Sequence, residues 1–80
     1  MNKNVNFKLK SLRVERNLTQ DELGKMIGIH EATYNRKEQG MNKFSLDEAK
    51  RISDIFDLPI ELIFFSKRVH TNKTYDNGNS

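Results

Sequence analysis

Apolar side chains recur along this chain at spacings of three and four, most clearly between Leu18 and Gly40. Thr19 can accept the first free backbone N–H groups of a helix, and Glu22 three residues on completes a capping box. Leu23, Met26 and Ile27 then fall on one face, and Gly28 supplies the backbone freedom for a turn. A second helix must begin near His30 or Glu31 and run until Gly40, the next C-terminal cap. The same spacing rule predicts helices near 7–16, 19–27, 30–38, 46–56 and 59–65, with no period-2 stretch that would make a strand. Ser45 can cap the fourth, with Asp47 and Glu48 suiting its positive end, and Leu46, Ala49, Ile52, Ser53 and Phe56 line one face. Pro59 fits the first turn of the fifth. From Ser66 onward the Lys/Asn/Thr/Gly composition has little to bury, so residues 66–80 are expected to form a flexible tail.

Two short helices joined by a tight glycine turn make a helix-turn-helix. On a wheel of about 100° per residue, Glu31, Ala32, Asn35, Arg36 and Gln39 of the second helix share one polar arc. His30, Thr33, Tyr34 and Lys37 lie on the other side, so Tyr34 is the natural core anchor and the polar arc is left for a partner. Leu9, Leu12, Arg13, Leu18, Thr19-Gln20, Leu23, Gly28-Ile29, Thr33, Glu38 and Gly40, followed by Leu46, Ile52, Phe56, Leu58, Ile60, Ile63 and Phe64, resemble the pattern of the Cro/repressor type of helix-turn-helix regulators, the Xre or lambda-repressor-like family. The resemblance covers residues 7–65. It implies an all-α, compact five-helix DNA-binding domain and a sequence-specific regulator of transcription, a repressor or Cro-like switch protein that occupies a double-stranded DNA operator. The tract Tyr34 to Gly40 and the ending Glu61-Leu-Ile-Phe-Phe65 look most like small regulators carried by phages and integrated elements of Gram-positive bacteria.

Composition narrows the alternatives. Residues 1–44 carry nine Lys/Arg against five Asp/Glu, while residues 45–65 carry two against five, so the basic side is the one holding the helix-turn-helix. A positive half favours a polyanion, through counterion release on phosphate contact. With no cysteine, neither a disulfide scaffold nor a thiolate metal site is possible. No apolar run approaches the roughly 18 residues of a membrane span, and the polar start Met-Asn-Lys-Asn-Val-Asn is unlike a signal peptide, so a cytoplasmic protein is expected. His30 and His70 stand forty positions apart, and there is no Gly-rich phosphate loop or metal-spaced cluster. No enzyme activity, cofactor, metal ion, small-molecule substrate or membrane partner is therefore expected. The rival reading is a protein-binding module of the same fold, an antitoxin or anti-repressor.

The resemblance assigns roles residue by residue. Gln20 is a phosphate binder that also braces the reading helix. Arg36 can take guanine O6 and N7 together in the major groove; the competing reading is a surface arginine paired with Glu31 or Glu38. Asn35 could read adenine or bind phosphate, and Ala32 could meet a thymine methyl. Gln39, Asn42 and Lys43 match positions that hold the sugar-phosphate backbone or reach bases. Glu31 either accepts from a cytosine N4 amine or stabilises the helix N-terminus. His30 departs from the family's usual Ser or Thr and is read as a surface or weak capping residue, while the stem of Lys37 is expected to cover Tyr34 with its amine outward. Arg13 and Glu38 match the family's structural ion pair. The fifth helix has more apolar residues than one small core absorbs: with Ile60, Ile63 and Phe64 inward, Leu62 and Phe65 are surplus, and a homodimer through them is expected, at least on DNA.

Overall fold

The computed structural model describes residues 5–65. Its elements are α1 (Phe7–Glu15), α2 (Gln20–Ile27), α3 (Glu31–Glu38), α4 (Leu46–Phe56) and α5 (Ile60–Phe64), with no strand among the described residues. Each lies within a residue or so of the range the apolar spacing predicts. The expected tail, residues 66–80, lies outside the described residues.

Local chemistry explains where the helices start. Thr19 Oγ1 accepts the Glu22 N–H at 3.0 Å while Thr19 N–H donates to the Glu22 carboxylate at 2.8 Å, and Ser45 and Glu48 repeat the arrangement at the head of α4. They stop where the chain turns left-handed: Gly28 has φ +84° and Gly40 φ +83°, conformations that cost glycine nothing. α4 ends instead on Asp57, a residue type that tolerates this region better than most.

Asn6 is the cap that periodicity does not reveal. Its Oδ1 accepts the Leu9 N–H at 2.9 Å, its Nδ2 donates to the Ile63 carbonyl at 3.2 Å, and its backbone N–H donates to the Glu38 carbonyl at 2.9 Å. One residue thus starts α1 and ties it to the ends of α3 and α5.

The core comprises Leu9, Leu23, Ile27, Tyr34, Ile52, Phe56 and Ile63, drawn from all five helices. Phe44 packs edge-on against both Tyr34 and Phe64, ring centroids 5.9 and 5.5 Å away, and so carries the α3–α4 loop onto the core. Two expected core positions lie outside it. Met26 is half exposed because an eight-residue helix wedged between neighbours buries only the narrow stripe of Leu23, Gly24 and Ile27. Leu46 is 78% exposed because it opens α4 just after the surface cap, and the inward stripe of Ala49, Ile52 and Phe56 begins one turn later.

Gly24 lies tight against the turn and against α3. A Cβ there would stand 3.0 Å from the Ile29 carbonyl oxygen and 3.4 Å from the Tyr34 Cβ. Gly24→Val is therefore expected to lower stability by roughly 1–3 kcal/mol in urea unfolding, the usual cost of overpacking. Met26→Val, two positions away on the open flank, should stay within about 0.5 kcal/mol of the parent. Equal effects at the two positions would show that the turn yields to accommodate the side chain.

Candidate nucleic-acid interface

α3 is oriented by two residues one turn apart. Tyr34 and Glu38 are both fully buried, so the opposite side of the helix must face out. On that side Glu31, Ala32 and Arg36 are exposed and Asn35 and Gln39 half-buried. Arg36 makes no ion pair among the described residues, with Glu31, Glu38 or any other carboxylate. His30 is the exposed N-cap but its side chain makes no capping hydrogen bond. The loop after the helix folds back on it: the Met41 and Asn42 N–H groups both point to the Arg36 carbonyl, at 2.9 and 3.4 Å, leaving Asn42 and Lys43 exposed beside the end of α3.

Beneath this surface lies a buried charge with every acceptor engaged. Glu38 Oε2 accepts from Arg13 Nε at 2.9 Å and from the Tyr34 hydroxyl at 2.6 Å. Its Oε1 accepts from Arg13 Nη2 at 3.1 Å and from Gln20 Nε2 at 3.0 Å. Arg13 spends its third nitrogen on the Leu18 carbonyl, at 2.9 Å. Burial alone would push the Glu38 carboxyl up, but donation from Arg13, Tyr34 and Gln20 outweighs it and holds the group below the usual carboxylate range. Burial and the same carboxylate push the Tyr34 hydroxyl well up, so it remains a donor. The hydrogen bond to Glu38 raises Arg13 further, against the opposing effect of burial.

Gln20, the first residue of α2, connects this hub to the outer face. Its Nε2 donates to Glu38 and its Oε1 accepts from Asn35 Nδ2 at 3.0 Å. Gln20 and Asn35 are thus brought together across the two helices, with Arg36 and Gln39 on the same outward side of α3 and Ala32 and Glu31 toward its start.

Lys37 departs from expectation. Its amine does not turn outward: Nζ lies 2.6 Å from Glu48 Oε1, both side chains largely covered, and 6.0 Å from the Phe44 ring centre. The Glu48 carboxylate, already drawn in by its capping role, gives the lysine an acceptor close to the core. Burial raises the Glu48 carboxyl and the Lys37 and Ser45 hydrogen bonds more than offset it, leaving it lowered. Position 37 therefore belongs to the α3–α4 junction. The capping-box signature of Ser45 and Glu48 was the available signal that a carboxylate would be held there.

On α5 and its C-cap, Leu62 and Phe65 are 47% and 44% exposed, while Ile63 is buried and Ile60 and Phe64 are half-buried. Among the described residues no group of His, Asp or Glu side chains could hold a metal ion, and no helix is long and apolar enough to cross a membrane.

Comparison with known proteins places this geometry. The Helix-turn-helix family pattern matches residues 9–63. The cryptic phage CTXphi transcriptional repressor RstR of Vibrio cholerae is 34% identical over 53 residues, which is 66% of this chain and 48% of that protein. An uncharacterised HTH-type transcriptional regulator of Archaeoglobus fulgidus is 37% identical over 57 residues, 71% of this chain and 80% of that one. The chain therefore spans about half the length of the phage repressor it matches.

The buried hub has a pH signature. A carboxyl held below its ordinary value of 4.5 contributes stability that is present above that pH and lost as pH falls through the lower folded value. Unfolding free energy is expected to decline on the acid side from about pH 4.5 downward, and Glu38→Gln, less stable at neutral pH, should show a flatter acid limb. Arg13→Met strands the carboxylate and should cost about 3–5 kcal/mol at pH 7. Parallel acid limbs for parent and Glu38→Gln would assign the pH dependence to other groups.

Proposed function

This chain belongs to the Xre-type helix-turn-helix family, and on that premise we propose that it binds double-stranded DNA sequence-specifically and regulates transcription, as a repressor or Cro-like switch protein, by occupying an operator. The observation that carries the proposal is the outward arc of α3: polar, cationic through an Arg36 that makes no ion pair among the described residues, and backed by a fully hydrogen-bonded buried charge that holds the helix in place. α3 is short and exposed along one side, the form in which a helix enters the major groove.

In this reading Arg36 takes guanine O6 and N7 together, Ala32 meets a thymine methyl, and Asn35 lies between them. Gln20, at the N-terminus of α2, is close enough to the arc to bind phosphate while bracing Asn35. Gln39, Asn42 and Lys43 hold the sugar-phosphate backbone at the other end. Glu31 sits in the first turn of α3, where a carboxylate complements the helix dipole. A module built to dock another protein through this face would present aromatics or large aliphatics, and the arc carries nothing apolar larger than Ala32.

A single domain of this size covers one half-site. Leu62 on α5 and Phe65 at its C-cap, three residues apart and each about half exposed, suit an isologous contact between two copies that sets two α3 helices in successive major grooves. Coupling two half-sites raises apparent affinity through effective concentration.

Selection of duplexes from a random library tests the reading. Arg36→Ala should relax specificity at one base position, whereas Lys43→Ala should weaken all sequences alike and reduce the salt slope by about one. Equal weakening of every duplex by both variants would remove Arg36 as a base reader, and a parent protein with no preference among duplexes would remove the regulator reading.

Sedimentation tests the assembly. The parent is expected to dimerise on a two-half-site duplex, and Leu62→Glu/Phe65→Glu to bind as separate monomers with lower apparent affinity. A double variant that dimerises as the parent does would place the interface elsewhere.

A further inference from the structure

The loop between α3 and α4 is fastened at both ends. At its start the Gly40 N–H donates to the Lys37 carbonyl at 3.1 Å and the Met41 N–H to the Arg36 carbonyl at 2.9 Å. At its end one carboxylate oxygen joins loop and helices: Glu48 Oε1, on α4, accepts from the Ser45 N–H at 2.9 Å and from Lys37 Nζ, on α3, at 2.6 Å. Phe44, just before Ser45, lays its ring between Tyr34 and Phe64 beneath the same ammonium. Asn42 and Lys43 are exposed between the two fastenings. A capping box needs only the serine and the glutamate, so the lysine does something further. α3 packs chiefly against α2 and has little direct contact with α4, which leaves the relation of α3 to the loop and α4 dependent on Phe44 and this ion pair.

We propose that Lys37 and Glu48 are positioning residues for DNA contact: their ion pair fixes the α3–α4 loop against the reading helix, so that Asn42 and Lys43 meet the sugar-phosphate backbone in register with Arg36. Both side chains are largely covered, 14% and 15% exposed, so the lysine spends its charge inward and is not itself a phosphate contact. A loop held before binding does not have to be ordered on binding, which lowers the entropic cost of the contacts it makes. Charge alone predicts something different. The pair sums to zero, so removing both partners together leaves the attraction of the whole domain for a polyanion unaltered, and only the placement of the loop changes. The inference rests on α3 reading duplex DNA with Lys43 on the backbone, as proposed above.

The experiment uses the full chain and the duplex that the parent selects from a random library. Salt titrations of binding compare the parent with Lys37→Met/Glu48→Gln, each with and without Lys43→Ala. Glutamine keeps an acceptor for the Ser45 N–H, methionine keeps the stem over Phe44, and no charge is left stranded, so the double variant is expected to fold, as circular dichroism checks. It should bind about 3- to 10-fold more weakly than the parent, with a salt slope smaller by about one, although its net charge is the same. Lys43→Ala should weaken the parent clearly and the double variant little, since the loop no longer presents that amine. The base preferences should persist in every variant. A pair that only stabilises the fold would lower the melting temperature and leave the slope and the cost of Lys43→Ala unchanged. The proposal is overturned by that result, by parent-like affinity in the double variant, by loss of base preference along with affinity, or by a Lys43→Ala substitution that costs the parent nothing. A parent that selects no duplex at all would instead remove the DNA-reading function itself.

Discussion

A buried carboxylate must find donors for both oxygens or give up its charge, and most of this molecule is arranged so that Glu38 does the former. Its four donor groups come from α1, α2 and α3: two from Arg13 and one each from Gln20 and Tyr34. Satisfying it requires the last turn of α3 to lie beside the last turn of α1 and the first residue of α2. The chain direction of α3, and hence the face it turns outward, follows from that one requirement. An apolar core of similar volume would hold the helices together with less directional control, since hydrophobic contact is indifferent to small rotations.

Around the hub, backbone groups left open at helix ends do much of the remaining work. Asn6 binds the ends of α3 and α5 to the head of α1, and Arg51 Nη1 donates to the Ile27 carbonyl at 3.3 Å, closing the end of α2. Arg16 donates to the Ile55 carbonyl at 3.2 Å and stacks 5.2 Å from the Phe56 ring centre. Long cationic side chains thus bridge helices by their polar tips while their stems cover apolar surface. In a chain this short the core alone is small, so such links carry a larger share of the organisation than they would in a larger domain.

The same arrangement separates cations by task. Arg13 and Lys37 are drawn inward onto Glu38 and Glu48, whereas Arg36 and Lys43 remain exposed at α3 and the loop after it. A cation already paired has little left to offer a phosphate or base; an unpaired one on a rigid helix can approach either without first breaking a contact. Rigidity matters because bidentate base contacts depend on geometry as much as on charge.

Much of this was legible along the chain because it is local. Helix positions follow from apolar residues three and four apart, starts from Thr19 and Ser45 with their partners three residues on, and stops from Gly28 and Gly40; each device acts within a few residues. The polar arc of α3 follows from periodicity, once Tyr34 is taken as the inward anchor. Tertiary structure decided what depends on residues far apart in sequence. Met26 and Leu46 fit their helical stripes but lie outside the core, because the width of the buried stripe is set by the neighbouring helices and not by the helix itself. Lys37 turned inward because Glu48, eleven positions away, offered a carboxylate beside Phe44. The orientation of the Gln20 and Asn35 amides is set by a charge eighteen residues from the first, and no local pattern encodes it. Periodicity reports which side of a helix is apolar, but the partners of a polar group and the direction of its hydrogen bonds exist only once the helices are packed.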